Sequence, residues 1–479
     1  MRSLLLSLTV IFGLIAVSSC ISDDITTSSS ATLTFSTDTL SFDTVFSGVG
    51  TPTARLLVYN RNNKGVVISS IRFEKDDSNF SLNVDGQSGK TFSNVEIRAN
   101  DSIWLFVECL LPEGPDSKPF LAEDKIQFIT NGVAQSVLVE AYGQNVTRLR
   151  NVTITEDTRL TPEQPYVVFD SLTVAKGATL TIDPGTQLLF HDKAKLRVEG
   201  RIEAVGTPTS KIDMRGDRLD NVLPDVGFDI LAGQWNGITI TAESFDNRFE
   251  YVDMRSTSQG LVLDSCEISD RTKLTLINSW LHNSQGSALK AKYANINAVG
   301  CIFSEAAESV VDLTGGNISF LQCTFSNYYL FSAPFLPIIS LYHTDADHAE
   351  AGASSLPFMK GDFKNCIIYG LPGDINQGDL NATQIYFYNT LFKSKGNDDE
   401  HFIACEWDAN PLFYTIREDY IFNYHIKNES PAIGAGNPDF VTEQAIIDMD
   451  GLNRLAAGNP TLGAFVYVPE KTEESLKRH

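Results

Sequence analysis

After residue 19 the sequence has no run long and apolar enough to span a bilayer, which excludes a spanning helix from the body of the chain. Cysteine is scarce, with 7 scattered over 479 residues, too few for a disulfide scaffold. Basic residues are in deficit: 37 Lys and Arg face 60 Asp and Glu, a formal net charge of −23. That balance repels nucleic acid and excludes it as a partner. It also disfavours an anionic polysaccharide unless a cation or a local basic patch intervenes. Helical periodicity is missing as well. In the second half Gly and Asn recur at fixed places, and β-branched and aromatic residues alternate between them, which is the rhythm of strands.

Residues 1–19 have the make-up of a processing segment, with Arg2 ahead of the apolar stretch Leu4–Val17. The segment closes on Val17-Ser18-Ser19-Cys20. This resembles the lipobox of bacterial lipoproteins, and the resemblance implies that Cys20 is lipidated and becomes the new N-terminus, anchoring the chain in a membrane. Ser22-Asp23-Asp24 is similar to the acidic export signal of surface lipoproteins in the Bacteroidetes, which implies the outer membrane of a Gram-negative cell with the protein facing the exterior. An acidic start to a flexible tether reads the same way. The tether is residues 20–32, rich in Ser and Thr.

Residues 33–147 alternate apolar and polar with period two, as in Leu56/Val58, Phe80/Leu82/Val84 and Val137/Val139. Turn clusters such as Asn60–Gly65 and Asn131-Gly132 separate the runs, so the stretch is expected to be a β-sandwich. The strand rhythm and the phrase Leu57-Val58-Tyr59-Asn60 resemble immunoglobulin-like domains of the hydin/ASPM type, which implies a spacer or interaction module.

Residues 148–467 follow a different rule. Leu172, Leu180, Leu188 and Leu196 are eight apart, and Val174, Ile182, Phe190 and Val198 repeat the interval. Short strands at that spacing predict a coil with three faces and about 24 residues per turn. Farther on, Ser279, Cys301, Cys323, Cys366 and Thr390 occupy equivalent places, each after a corner residue: Asn278, Gly300, Gln322, Asn365 or Asn389. The interval of 43 between Cys323 and Cys366 fits one coil with an insertion or two coils, one of them degenerate. The register predicts that Cys301 and Cys323 are adjacent, buried and unbridged, because parallel neighbours hold their Cβ atoms farther apart than a disulfide prefers. These repeats, with the lead-in Gly177–Thr186 and the C-terminal phrases Ser430–Gly436 and Pro460–Phe465, resemble the right-handed parallel β-helix of the pectate-lyase-like superfamily. An all-β chain follows: a sandwich, then a right-handed parallel β-helix with an insertion at about 329–362, then a charged tail at 468–479.

Enzymes of that superfamily cleave acidic polysaccharides, and the resemblance implies Asn-Thr-Asp and Gly-His-Gly phrases in hydrolases. Here Asn389-Thr390 is followed by Leu391, and no Gly-His-Gly occurs. No catalytic residue is therefore assigned. The densest ligand-capable cluster is His343, Asp345, Asp347 and His348, and its aspartate oxygens suit calcium. It lacks the turn-forming Gly of metal loops, which favours a solvated loop, and no cofactor beyond that calcium is expected. Tyr328, Tyr329 and Phe331 open the insertion and suit either sugar contact or a satellite core. Asp448, Asp450 and Arg454 suit an ion-paired cap over the last coil. The expected function is a cell-surface lipoprotein whose non-catalytic β-helix binds a glycan or a surface protein. A divergent polysaccharide lyase or hydrolase and a passive envelope scaffold are the alternatives. The enzyme requires three carboxylates on one helix face beside a Lys or Arg, in a groove.

Overall fold

The structure is a computed structural model that describes residues 24–223, 225–265, 271–342, 359–376, 380 and 383–469. The chain divides into two compact units, Met1–Asn145 and Val146–His479. Cys20, the calcium-type cluster His343, Asp345, Asp347 and His348, and the charged tail from residue 470 lie outside the described residues.

The first unit is a β-sandwich. One sheet has five strands in the order Thr34–Phe35, Ala54–Asn60, Asp101–Cys109, Phe80–Val84 and Gln87–Gly89. The other has six strands, running from Thr39–Phe46 through Val133–Gln144, Phe120–Thr130 and Val66–Phe73 to short edge pieces. Pairing is antiparallel except where Thr39–Phe46 lies parallel to Val133–Gln144. The period-two pattern explains the core. Leu56, Val58, Leu105 and Val107 from one sheet and Ile68, Ile126, Phe128 and Val139 from the other are buried in one cluster.

The second unit is a three-faced parallel β-helix. Face A carries Tyr166–Val174, Lys195–Val198, Gly237–Ile240, Leu261–Leu263, Leu289–Lys292, Val311–Thr314 and Ile339–Tyr342. Face B runs from Thr158–Leu160 to Phe402–Ile403 and includes Leu274–Ile277, Asn295–Val299, Asn317–Leu321 and Lys360–Lys364. Face C carries Gln187–Phe190, Ile212–Gly216, Val252–Thr257, Trp280–Ser284, Ile302–Ala306, Thr324–Ser326, Ile367–Ile368 and Leu391–Phe392. Faces A and C join in one 16-stranded sheet through Tyr166–Val174, and face B is a 10-stranded sheet. Leu172 pairs with Leu196, so the eight-residue interval is one face and three intervals are one coil.

One coil cannot cover its own inner side chains, but stacked coils bury a continuous core. Phe320, Phe363, Phe387 and Phe402 stack along face B with ring centroids 4.7–5.0 Å apart. The 43-residue interval is a single coil with added residues, since Thr324 pairs directly with Ile367 and Ile318 with Gly361. Part of the stretch expected as insertion is regular: Ile339–Tyr342 takes its place on face A beside Val311–Thr314.

The turn from face B to face C is a column of left-handed backbone: Asn278, Gly300, Gln322, Asn365 and Asn389 all have φ between 44° and 66°. Gly and Asn tolerate that conformation best. The next residue points inward. Cys301, Cys323 and Cys366 are buried, free thiols whose Sγ atoms donate to the carbonyl two residues back, as Ser279 and Thr390 hydroxyls do. Cys405 extends the column, with Sγ near the Ile403 carbonyl. Cys301 and Cys323 are therefore adjacent, buried and unbridged.

The C-terminal segment does not close the last coil with an Asp–Arg pair. It runs back along the B–C corners and contacts their side chains. Asn389 Nδ2 donates to Ala435 O, Asn365 Nδ2 to Asn437 O, Gln322 Nε2 to Thr461 O and Asn278 Nδ2 to Ile447 O. Asp448 accepts the backbone N–H groups of Asp450, Leu452 and Val466 at 2.7–2.9 Å. The buried Arg454 donates to the carbonyls of Gly463 and Ala464. Asp450 pairs with His425 at 2.6 Å. The reason is local. A chain crossing corners meets free carbonyls and N–H groups, and these side chains satisfy them.

Candidate functional site

Of the three aromatics singled out in the sequence, Tyr328 is buried in an outer cluster with Ile302, Ile367, Phe413 and Tyr424. Phe331 is 51% exposed and stands edge-on to Tyr329 at 5.7 Å. Only Tyr329 borders a cleft.

That cleft, about 260 Å³, lies over the outer side of face C. Alternation turns Asp213 and Arg215, Asp253 and Arg255, Trp280 and His282, and Ser304 outward from four successive strands. Register stacks them: Asp213 pairs with Asp253 and then Trp280, and Arg255 pairs with His282 and then Ser304. The loop after Ile212–Gly216 brings Asp225–Ile230 to one wall. Asp419, Tyr420, Ile421 and Phe422 bring the opposite wall from the turn before strand Asn423–Ile426. Residues 417, 419 and 420 in that turn are left-handed, with φ of 69°, 51° and 61°.

Charge is densely arranged at the floor. Arg255 Nη1 lies 2.6 Å from Asp213 and 2.9 Å from Asp253, and its Nε lies 2.9 Å from Asp229. Arg215 reaches Asp229 at 3.2 Å. Burial would raise the Asp253 carboxyl, but Arg255 and then His282 outweigh it and hold Asp253 well below the usual carboxylate range. For Asp213 burial prevails over Arg255, and the group is raised. Burial also works against Arg255, yet the three carboxylates around it raise its pKa. Three carboxylates thus surround Arg255 in a groove, but only Asp213 and Asp253 stand on face C while Asp229 comes from the loop turn Phe228–Ile230, and the arginines already occupy all three.

Beside this network His282 Nε2 lies 3.0 Å from Asp253 Oδ1, and its ring stacks on Trp280 at 4.2 Å. Trp280 Nε1 donates to Ser304 Oγ at 2.7 Å. Glu305 follows Ser304 and is 2% exposed. Its backbone is left-handed, φ 44°. Tyr424, itself buried, donates its hydroxyl to Glu305 Oε1. Oε2 is buried and has no partner among the described residues. Burial pushes the Glu305 carboxyl up to about 7, against the pull of His282, Ser304 and Tyr424. No group of three His, Cys, Asp or Glu side chains among the described residues is placed to hold a metal.

Asp253, His282, Trp280 and Glu305 carried no signal as a set in the sequence. The one clue was alternation in Val252–Thr257 and Trp280–Ser284, which puts a His and a Trp outward on a repeating strand.

No family model matches this chain. The "Protein bark beetle" of Drosophila melanogaster is 43% identical over 53 residues, which is 11% of this chain. The chain spans 2% of that relative's length. Among solved structures, a family 123 glycoside hydrolase from Clostridium perfringens superposes with a TM-score of 0.17 and 10% identity. That superposition covers 24% of this chain and 26% of the other.

Proposed function

We propose that this protein is a glycan-binding β-helix lipoprotein, anchored through Cys20 in the outer membrane and facing the cell exterior, and that the face C cleft holds the glycan. On this reading the helix is a right-handed member of the pectate-lyase-like group, and the N-terminal sandwich is an immunoglobulin-like spacer. The observation that carries the binding assignment is the cleft's lining. It combines aromatic walls at Trp280, Tyr329, Tyr420 and Phe422 with polar groups fixed by a buried charge network. Sugar rings present apolar C–H faces and a rim of hydroxyls, which match such a mixture. Asp225, Asp229, Asp253 and Asp419 outnumber Arg255 and His282 in the lining, so a neutral glycan fits better than an anionic one.

A glycan array probed with a soluble chain that begins after Cys20 tests the reading. Binding to neutral glycans is expected, and Tyr420→Ala should weaken it about tenfold, since Tyr420 is 45% exposed on the cleft wall. An array without neutral-glycan signal would transfer the assignment to a surface-protein ligand or a passive scaffold. For the address, Cys20→Ala should leave the membrane fraction, and unchanged acyl labelling of that variant would reject the lipid anchor.

A further inference from the structure

Three successive coils turn from face C to face A through left-handed residues: Ser256 at φ 65°, Asn283 at 52° and Glu305 at 44°. The first two serve the backbone. Ser256 Oγ donates to Asp229 O at 2.7 Å, and Asn283 Nδ2 donates to the carbonyls of Asp229 and Ile230 at 2.7 and 2.9 Å. Glutamate suits this place poorly. Its carboxylate has no N–H to give, and left-handed backbone costs a residue with a Cβ about 1–2 kcal/mol.

What Glu305 does instead is border the cleft with one oxygen held and the other buried without a hydrogen-bond partner among the described residues. Tyr424 occupies Oε1, while Oε2 is buried and unpartnered among the described residues. A protonated carboxyl with Oε1 held by Tyr424 carries its O–H at Oε2, which has no partner among the described residues, and an ether or hydroxyl oxygen of a ligand would supply the acceptor. One strand away, His282 Nε2 is tied to Asp253 Oδ1. When Nε2 donates that bond, Nδ1 is the ring's acceptor, and His282 also borders the cleft.

We propose that the cleft is catalytic: Glu305 is the general acid and His282, oriented by Asp253, the general base in hydrolysis of a glycosidic bond of a neutral glycan. This rests on the glycan-binding reading. Water attacks the anomeric carbon while His282 takes one of its protons. The C1–O bond to the leaving sugar breaks, and Glu305 gives its proton to that oxygen. The products are a hemiacetal and an alcohol. Solvent returns the proton from His282 to Glu305. The excess of carboxylates in the lining, with Asp225 and Asp419 on its walls, favours the positive charge that develops on the sugar ring. Burial supports the donor role, since it keeps Glu305 largely protonated up to about pH 7.

The test uses the full chain with Cys20→Ser against xylan, glucomannan, β-1,3-glucan, galactan and α-mannan, with binding and reducing-end release measured separately. Wild type should bind at least one and cleave it. Glu305→Gln should bind within a few-fold of wild type and lose about 100-fold or more in turnover. It should regain activity on a dinitrophenyl glycoside of the same sugar, whose leaving group needs no proton. Tyr424→Phe provides a second variant. Among the groups facing Glu305, which are His282, Tyr424 and Tyr328, it removes a donor that lowers the acid, so the alkaline limb of the rate profile should move to higher pH. Binding without cleavage by wild type, or undiminished cleavage by Glu305→Gln, overturns the catalytic role and leaves the binding reading standing. Absence of both binding and cleavage on all five polymers overturns both.

Discussion

The two corner columns that flank face C share a left-handed backbone and are filled by different rules. On the B–C side Asn278, Gly300, Gln322, Asn365 and Asn389 suit that backbone, and each Asn or Gln side chain holds the C-terminal segment. On the C–A side Ser256 and Asn283 do the same for a loop, and then Glu305 breaks the series with a carboxyl that faces a cleft. The first column is what the fold requires. The second is what the fold tolerates, and a residue that costs stability where Asn would serve points to chemistry.

The largest effect should come from breaking the inner ladder of the first column. Cys301 is fully buried between Ser279 and Cys323, and its thiol acts as a small apolar group. Cys301→Lys buries an ammonium in a fully buried column close to the Arg454 guanidinium and should cost more than about 5 kcal/mol, enough to leave no folded helix. A cooperative melt retained by this variant would reject the 22-residue register. The outer network between the corners comes next. Arg255→Met would take from Asp213 its ion-pair partner and leave Asp229 to Arg215 and Asp253 to His282 in a partly buried cluster, at about 3–5 kcal/mol. Chemical denaturation reads this, and a loss under 1 kcal/mol would show that water already screens the cluster.

Glu305 sharpens the contrast through pH. Its carboxyl lies at about 7 in the folded chain against 4.5 when exposed, so between those values the folded state binds the extra proton. Stability from this group is therefore lost as pH rises from about 4.5 to 7, by on the order of 3 kcal/mol, and is flat on either side. Glu305→Gln should remove that slope and be the more stable protein at pH 8. Parallel stability curves for the two would place Glu305 in water.

Much of the first column was legible in the sequence, because a solenoid repeats its needs. Leu172 and Leu196, or Cys301 and Cys323, recur at a coil's length since each fills the same place one coil on. Cys405 escaped because its coil is short: it follows Thr390 by 15 residues, off the earlier spacing of 22 to 26. The cleft was not legible. Asp213, Asp229, His282, Glu305 and Tyr420 come from segments spread over more than 200 residues, and alternation tells which side a residue faces but not what it meets there. The placement of the C-terminal segment was hidden for a similar reason. Bonds such as Asn278 to Ile447 span 169 positions, and nothing local marks them. Asp448, Asp450 and Arg454 suited an ion-paired cap in sequence, whereas in the fold Asp448 and Arg454 bond backbone groups and Asp450 pairs with His425.

The smallest effect tests whether the first column is as interchangeable as its composition suggests. Asn389 and Gly300 occupy equivalent corners at φ 46° and 66°. Asn389→Gly keeps the backbone at no steric cost and deletes one bond, from Nδ2 to Ala435 O at 3.2 Å. The lost bond and the added freedom of the unfolded chain should together cost about 1 kcal/mol. The reverse exchange should not be mild. A Cβ at Gly300 would overlap Asn278 Oδ1 and crowd the Arg454 guanidinium at 3.0 Å, so Gly300→Ala should cost clearly more than Asn389→Gly. Thermal melts of the two variants decide it. Equal losses would mean that the C-terminal segment gives way at Arg454, and that the corners near Asn278 are held less firmly than those at Asn365 and Asn389.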